Sequence, residues 1–254
     1  MRALALAGAL LLAGCSVPQP TAVPGTTPPP ASTTSATPSA ARPTASPNQG
    51  AACQALAGRL SLKARAGQLV MVGVSGSLDA TERTAITSSK AGSVILMGGT
   101  AGGVKGVAKL SASLRKLGGD TGMLIAADQE GGLVQRLKGT GFATIPSAAK
   151  QAKLSDAALT RAATGWGTAL ARAGVRLDLA PVADVVPAGN ARANRPIARL
   201  GRGYGSDPAK VSAKVAAFRA GLKAAGVESA VKHFPGLGAV TGNTDFTANV
   251  VDTT

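Results

Sequence analysis

The chain has 254 residues, enough for one sizeable domain behind a leader, and is 45% hydrophobic but only 2% aromatic, so aliphatic side chains must make most of its core. Its net charge is +15, yet the basic residues are scattered, which argues against a nucleic-acid interface and for a weak general attraction to anionic cell-envelope polymers. A single His and two Cys cannot build a zinc site, so no metal is expected.

Met1 and Arg2 form a short positive start, and residues 3–13 are a small-apolar run. That run has the length of a signal-peptide core and falls short of the ~20 residues that span a bilayer. It ends in Leu12-Ala13-Gly14-Cys15, which resembles the lipobox of bacterial lipoproteins. The resemblance implies cleavage before Cys15 and acylation of its sulfur, leaving the protein exported and anchored in the cell membrane by several acyl chains. The alternative is an ordinary secretory signal with a chance cysteine. Residues 16–50 are rich in Pro, Thr, Ser and Ala. Such a stretch buries too little apolar surface to fold and reads as a tether. At ~3.1 Å per residue it would reach on the order of 100 Å. Cys53 is left over, either free or paired with a cysteine beyond residue 254.

From residue 51 onward, short apolar runs alternate with helical patterns. A helix is predicted over 56–67 and a strand over 69–74. A strand over 93–97 and a helix over 104–117 follow, then a strand over 123–128. A helix over 155–173 leads to a strand over 176–180, and a helix over 208–225 to a strand over 228–232. Continuous apolar strands are buried on both faces, which points to a parallel sheet with helical crossovers. Asp128, Asp184 and the Lys232-His233 pair fall at or just after strand C-terminal ends, where barrel enzymes place their chemistry. A doubly wound sheet would also bind there, but no Gly-x-Gly-x-x-Gly turn follows the first strand. Residues 98–103 are Gly-rich without phosphate-loop spacing.

Three segments carry candidate chemistry. The first is Asp128-Gln-Glu-Gly-Gly with Arg136 downstream. A carboxylate and a guanidinium at one mouth would grip sugar hydroxyls through charge-assisted hydrogen bonds; as an ion pair they would fix a loop. The second is Lys232-His-Phe-Pro-Gly-Leu-Gly, where adjacent side chains on an extended backbone point apart, so one can line a pocket while the other holds the loop. The third is Arg202-Gly-Tyr-Gly-Ser-Asp-Pro. Ser206 or Asp207 before Pro208 reads as a helix start, with Arg202 in a loop that could fold over the site.

These three segments, in this order, resemble glycoside hydrolase family 3, and most closely its bacterial β-N-acetylglucosaminidase branch, which trims N-acetylglucosamine from peptidoglycan fragments. The resemblance runs from about residue 56 to the C-terminus and implies a (β/α)8 TIM-type barrel, of which this chain holds about five strands. It also implies sugar contacts from Asp128, Arg136, Arg202, Lys232 and His233. Peptidoglycan-recycling members continue Lys-His-Phe-Pro-Gly-His-Gly and then carry an Asp-Ser-His triplet whose His is the general acid/base. Here Leu237 replaces the first of those His residues and Asn243-Thr244-Asp245 replaces the triplet. Asp245 thus falls at the acid/base position, a role a carboxylic acid performs if burial raises its pKa; otherwise Asn-Thr-Asp shapes a loop. The family nucleophile, an Asp near a later strand end, is expected beyond Thr254, so residues 1–254 alone are expected to lack glycosidase activity and to expose open sheet edges. The implied activity is retaining hydrolysis of terminal β-N-acetylglucosamine, for which no cofactor is expected. A β-glucosidase is the alternative within the family. A non-catalytic lipoprotein that binds cell-wall glycans, or an inactive fragment, is the alternative outside it.

Overall fold

The computed structural model describes residues 47–252. The expected leader, Cys15 and all but the end of the expected tether lie outside these residues. Helices α1 (Pro47–Arg59) and α2 (Leu62–Gly67) come first. Strand β1 (Met71–Val74), helix α3 (Ala80–Ser89), strand β2 (Ser93–Leu96), helix α4 (Gly103–Arg115) and strand β3 (Leu124–Ala127) follow. A hairpin of β4 (Gln129–Gly131) and β5 (Val134–Gln135) leads to α5 (Ala148–Gln151) and α6 (Asp156–Arg172). The described elements end with β6 (Leu177–Asp178), α7 (Pro208–Ala224) and β7 (Glu228–Ser229).

The main sheet has the order β1-β2-β3-β6-β7 with every pairing parallel. Each strand therefore lies beside the next main-sheet strand of the chain. A doubly wound sheet reverses its order at a switch point; this one never does, which is how strands succeed one another around a barrel. The fold is α/β, an arc of a TIM-type barrel. Val94 and Leu96 of β2 and Ile125, Ala126 and Ala127 of β3 are almost fully buried, as strands covered on both faces must be. Leu114, Leu159, Leu170, Phe218 and Leu222 cover them from the helical layer.

Local chemistry places the helices. Asp79 accepts the Glu82 N–H at 2.8 Å while Glu82 accepts the Asp79 N–H at 3.0 Å, a capping box that opens α3. Ser155 caps α6, and Asp207 caps α7 with Pro208 in its first turn. Helices α6 and α7 approach closely through glycine. A Cβ at Gly221 would sit 2.5 Å from the Thr160 carbonyl oxygen and 2.6 Å from the Ala163 Cβ. Thr160 donates its hydroxyl to the Ala217 carbonyl at 3.1 Å across that contact, and Trp166 stacks obliquely on Phe218 at 5.9 Å.

Five predicted strands and the helices over 104–117, 155–173 and 208–225 coincide with observed elements. Three features differ. The helix expected over 56–67 is two helices, the first beginning at Pro47 inside the expected tether. Helix α3 has no predicted counterpart. Residues 129–135, for which no element is predicted, form a hairpin between Asp128 and Arg136. Cys53 is exposed and outside any disulfide among the described residues, and no helix there is long and apolar enough to cross a membrane.

Candidate active site

Strand β3 delivers Asp128 at its C-terminal end, and the bridge between Val182 and Lys232 extends the sheet to bring Lys232 alongside. The Lys232 ammonium lies 2.5 Å from Asp128 Oδ1 and 2.6 Å from Glu130 Oε1. The Arg202 guanidinium grips the same Glu130 bidentately, Nη2 to Oε1 at 2.7 Å and Nε to Oε2 at 2.9 Å. Glu130 is thus a buried anion held between two cations. Burial pushes its carboxyl up, but the hydrogen bonds and charges of Arg202 and Lys232 outweigh that and hold it below the usual carboxylate range. Burial likewise pushes the Arg202 guanidinium down, and Glu130, Asp128 and Asp245 together carry it above its ordinary value. Asp245 therefore faces the cluster electrostatically.

His233 joins from the other side. Its Nδ1 lies 2.6 Å from Asp184 Oδ2, and its Nε2 lies 3.2 Å from Arg202 Nη2. A guanidinium can only donate, so Nε2 accepts and the tautomer that fits carries its proton on Nδ1, donated to Asp184. Asp184 Oδ1 also accepts the Leu237 N–H at 2.6 Å, which ties the loop after β7 to the loop after β6. The Ala180–Pro181, Lys232–His233 and Phe234–Pro235 peptides are cis. A cavity of about 500 Å³ opens against Asp184, Lys232 and His233 and is lined by the almost fully exposed Phe234.

Buried amides hold the loops that carry these groups. Gln129 accepts the Leu137 N–H at 2.9 Å and donates to the Leu137 carbonyl at 2.9 Å. Gln135 joins Ala143 and Ile145 in the same way. Gln151 donates to the Glu130 carbonyl at 2.9 Å and accepts the Tyr204 hydroxyl at 3.0 Å. Asn194, with no exposed surface, accepts the Ile197 and Ala198 N–H groups and donates to the Leu237 and Val240 carbonyls. One side chain thereby fixes the Arg202 loop against the Lys232-His233 loop.

Beneath the cluster lies Asp178 of β6, 1% exposed. Its Oδ1 accepts the Gln129 N–H at 3.0 Å, while Oδ2 is buried with no hydrogen-bond partner. Burial, reinforced by the negative charges of Asp128 and Glu130, raises its pKa to about 7 against the opposing effects of the Gln129 N–H and Lys232.

Of the residues singled out in the sequence, Asp128, Arg202, Lys232 and His233 converge in one network. Arg136 does not join it: the side chain is exposed and lines a separate cavity of about 420 Å³, while its backbone N–H bonds the Asp128 carbonyl at 3.3 Å. The intervening hairpin turns it away. Asp245 is also exposed, in a turn where its N–H donates to the Asn243 side chain at 3.0 Å, so it lacks the burial its proposed role asks for. Glu130, Asp178, Asp184 and Asn194 carry as much of the geometry as the sugar contacts expected from the sequence. Glu130 stands inside the Asp128 motif and Asp184 at a strand end, which are usable signals; Asp178 and Asn194 have none beyond being polar in apolar surroundings.

This arrangement suits a neutral polyhydroxylated ligand. Asp128 and Lys232 keep 19% and 17% of their side-chain surface open, and offer an acceptor and donors at one mouth. Among the described residues no His/Cys/Asp/Glu group could hold a metal ion.

Residues 61–254 match the glycosyl hydrolase family 3 N terminal domain. A β-hexosaminidase of Mycobacterium tuberculosis is 32% identical over 189 residues, 72% of this chain and 45% of its own length. The crystal structure of a β-N-acetylhexosaminidase from Beutenbergia cavernae superposes with a TM-score of 0.73 at 46% identity, covering 76% of this chain and 59% of that one. A family 3 β-N-acetylglucosaminidase from a Paenibacillus species gives 0.64 at 32% identity, covering 73% and 35%. The chain spans about half the length of the curated relatives it matches. With the barrel arc and the polar network at its strand ends already in place, the matched residues 61–254 settle the assignment: the chain belongs to glycosyl hydrolase family 3.

Proposed function

We propose that the protein is a retaining exo-β-N-acetylhexosaminidase that removes terminal non-reducing N-acetylglucosamine from cell-wall glycans. The observation that carries this reading is the convergence of Asp128, Lys232, Arg202 and His233 around Glu130 at the C-terminal strand ends. Asp128 accepts from sugar hydroxyls, and Lys232, held between two carboxylates, donates to them. Arg202 and His233 border the same mouth. Retention needs a carboxylate nucleophile and a proton donor flanking the bond. Asp245 is the proposed donor, and the family resemblance assigns the nucleophile to an Asp beyond residue 254. Arg136 remains a proposed sugar contact, one that requires its side chain to swing from its present exposed position. The names of the relatives, β-hexosaminidase and β-N-acetylglucosaminidase, support the N-acetylated sugar over glucose. Export and acylation at Cys15 would place the site on the cell membrane, facing glycan substrate, with residues 16–50 as the tether.

A non-catalytic glycan-binding role is the second reading, favoured by Leu237 in place of a family His and by the exposure of Asp245. One assay separates the two. The intact protein, meaning a chain long enough to carry the proposed nucleophile beyond residue 254, is incubated with aryl N-acetyl-β-glucosaminide and aryl β-glucoside. Turnover of the first and little of the second supports the proposal. Binding of N-acetylglucosamine without turnover of either supports the binder.

A further inference from the structure

Asp178 is a buried acid that the proposed sugar chemistry does not use. On β6 it pairs with Ala127 of β3, the residue before Asp128, and with Ser229 of β7. Its Oδ1 accepts the Gln129 N–H, which belongs to the peptide leaving Asp128. The Gln129 side chain is tied to both backbone groups of Leu137. Asp178 therefore holds the chain just past Asp128 from one side while Leu137 holds it from the other.

Glu130 is almost as deeply buried, yet the two carboxyls differ in their partners. Glu130 has the Arg202 guanidinium on both oxygens and the Lys232 ammonium on one. Asp178 has one backbone N–H, and its Oδ2 has no hydrogen-bond partner. The charged groups that face it are Asp128 at the end of β3, Glu130 on β4 and Lys232 after β7. The Tyr204 hydroxyl, from the loop after β6, also feels its charge. An unpartnered neutral oxygen costs less than an unpartnered charge, so the proton stays on Asp178 until pH rises to about 7. In that form the cluster above it is balanced, Asp128 and Glu130 against Lys232 and Arg202. A further anion at Asp178 repels Asp128 and Glu130 and draws on Lys232. It also pulls harder on the Gln129 N–H, and so on the backbone of Asp128.

We infer that Asp178 is a positioning residue that works in its neutral form, holding the Asp128 backbone through Gln129 while leaving Lys232 to Asp128 and Glu130. Its ionisation loosens the sugar-binding mouth. This rests on the hexosaminidase reading for the ligand, but not for the coupling of Asp178 to Gln129 and Lys232.

The test compares the intact protein with Asp178→Asn, which keeps an acceptor for Gln129 and cannot ionise. NMR of protein labelled with nitrogen-15 in glutamine and lysine follows the Gln129 amide and the Lys232 ammonium from pH 5 to 9. Calorimetry on the same samples measures the affinity for N-acetylglucosamine. In the unaltered protein both signals should shift with one shared inflection near pH 7, and the variant should lack it. With only the neutral form competent, about nine-tenths of the protein binds at pH 6 and about one-tenth at pH 8, so Kd should rise roughly tenfold between them. In the variant it should change less than twofold. Signals that stay in place, or that move with separate inflections, overturn the proposal. So does a Kd that is flat in the unaltered protein or that rises as steeply in the variant. A shared inflection without N-acetylglucosamine binding at any pH keeps Asp178 as a positioning residue and removes only the hexosaminidase reading. Urea unfolding checks the fold of the variant; if it does not fold, the two signals of the unaltered protein decide alone.

Discussion

Replacing Asp178 by asparagine should remove a loss of stability that the protein suffers as pH rises toward neutrality. Asp178 is 1% exposed, with one oxygen accepting the Gln129 N–H and the other unpartnered. Its pKa rises from 3.8 to about 7, chiefly through burial and further through Asp128 and Glu130, while Gln129 and Lys232 oppose the rise. At about 1.4 kcal/mol per pH unit, the difference amounts to on the order of 4 kcal/mol. The sign follows from linkage: with the folded pKa above the unfolded one, the stabilising contribution is fully present below about pH 4 and is lost as pH rises through about 7. Asparagine keeps an acceptor for Gln129 and does not titrate. Urea unfolding of the intact protein and of Asp178→Asn at pH 5, 6, 7 and 8 should therefore show the variant gaining on the parent, with the gap widening by ~1 kcal/mol or more per pH unit up to about pH 7 and then levelling. A gap that stays constant across this range would show that the carboxyl is already ionised at pH 5, and the reasoning from burial would fail.

Asp128→Asn should lower kcat/KM on an aryl N-acetyl-β-glucosaminide about tenfold or more, because a charge-assisted contact of ~1.5–3 kcal/mol is weakened; unchanged kinetics would leave Asp128 a partner of Lys232 alone. Asp245→Ala should slow substrates with poor leaving groups far more than activated aryl glycosides, which need little protonation; equal losses on both would remove it as the acid. Asn194→Ala should lower stability by roughly 2–4 kcal/mol, since it strips partners from several buried backbone groups between two loops; urea titration measures this, and a loss under ~0.5 kcal/mol would show that the loops hold without it. Cys15→Ser should move the protein from the detergent phase to the aqueous phase and abolish labelling by a fatty-acid probe; unchanged fractionation would refute the lipobox reading.

The barrel arc is legible in the sequence because its strands are continuous apolar runs and its long helices carry regular apolar stripes. Residues 93–96 and 125–127 are buried apart from the half-buried Ile95, and short apolar runs of this kind fit covered parallel strands. Helix α3 is illegible for the opposite reason. Its sequence, ATERTAITSS, is dominated by poor helix formers and buries only Ile86. What makes it a helix is the Asp79–Glu82 capping box, reinforced by the Ser75 N–H and hydroxyl on Glu82 at 2.6 and 2.7 Å. Those contacts involve polar residues whose spacing resembles that of any surface turn. Helix α1 escapes similarly, since its alanines and glycines give no face and its residues 50–59 are exposed.

The site divides along a physical line. Asp128, Lys232 and His233 sit at or just after strand ends, and strand ends follow from the hydrophobic pattern, so their positions can be read from the sequence. Residues that hold those groups in register work through long-range hydrogen bonds that no periodicity records. Glu130 is the clearest case. In the sequence it is one letter of Asp-Gln-Glu-Gly-Gly, with nothing to say that Arg202, 72 residues on, will clamp it. A buried carboxylate is tolerable only with cations around it, and the cations here are also the proposed sugar contacts. Glu130 therefore fixes the spacing of Arg202 and Lys232 at one oxygen atom, 2.7 and 2.6 Å away. That is why a group with almost no open surface governs the shape of the mouth, and why the distance between two proposed sugar-binding cations is set by a carboxylate buried behind them.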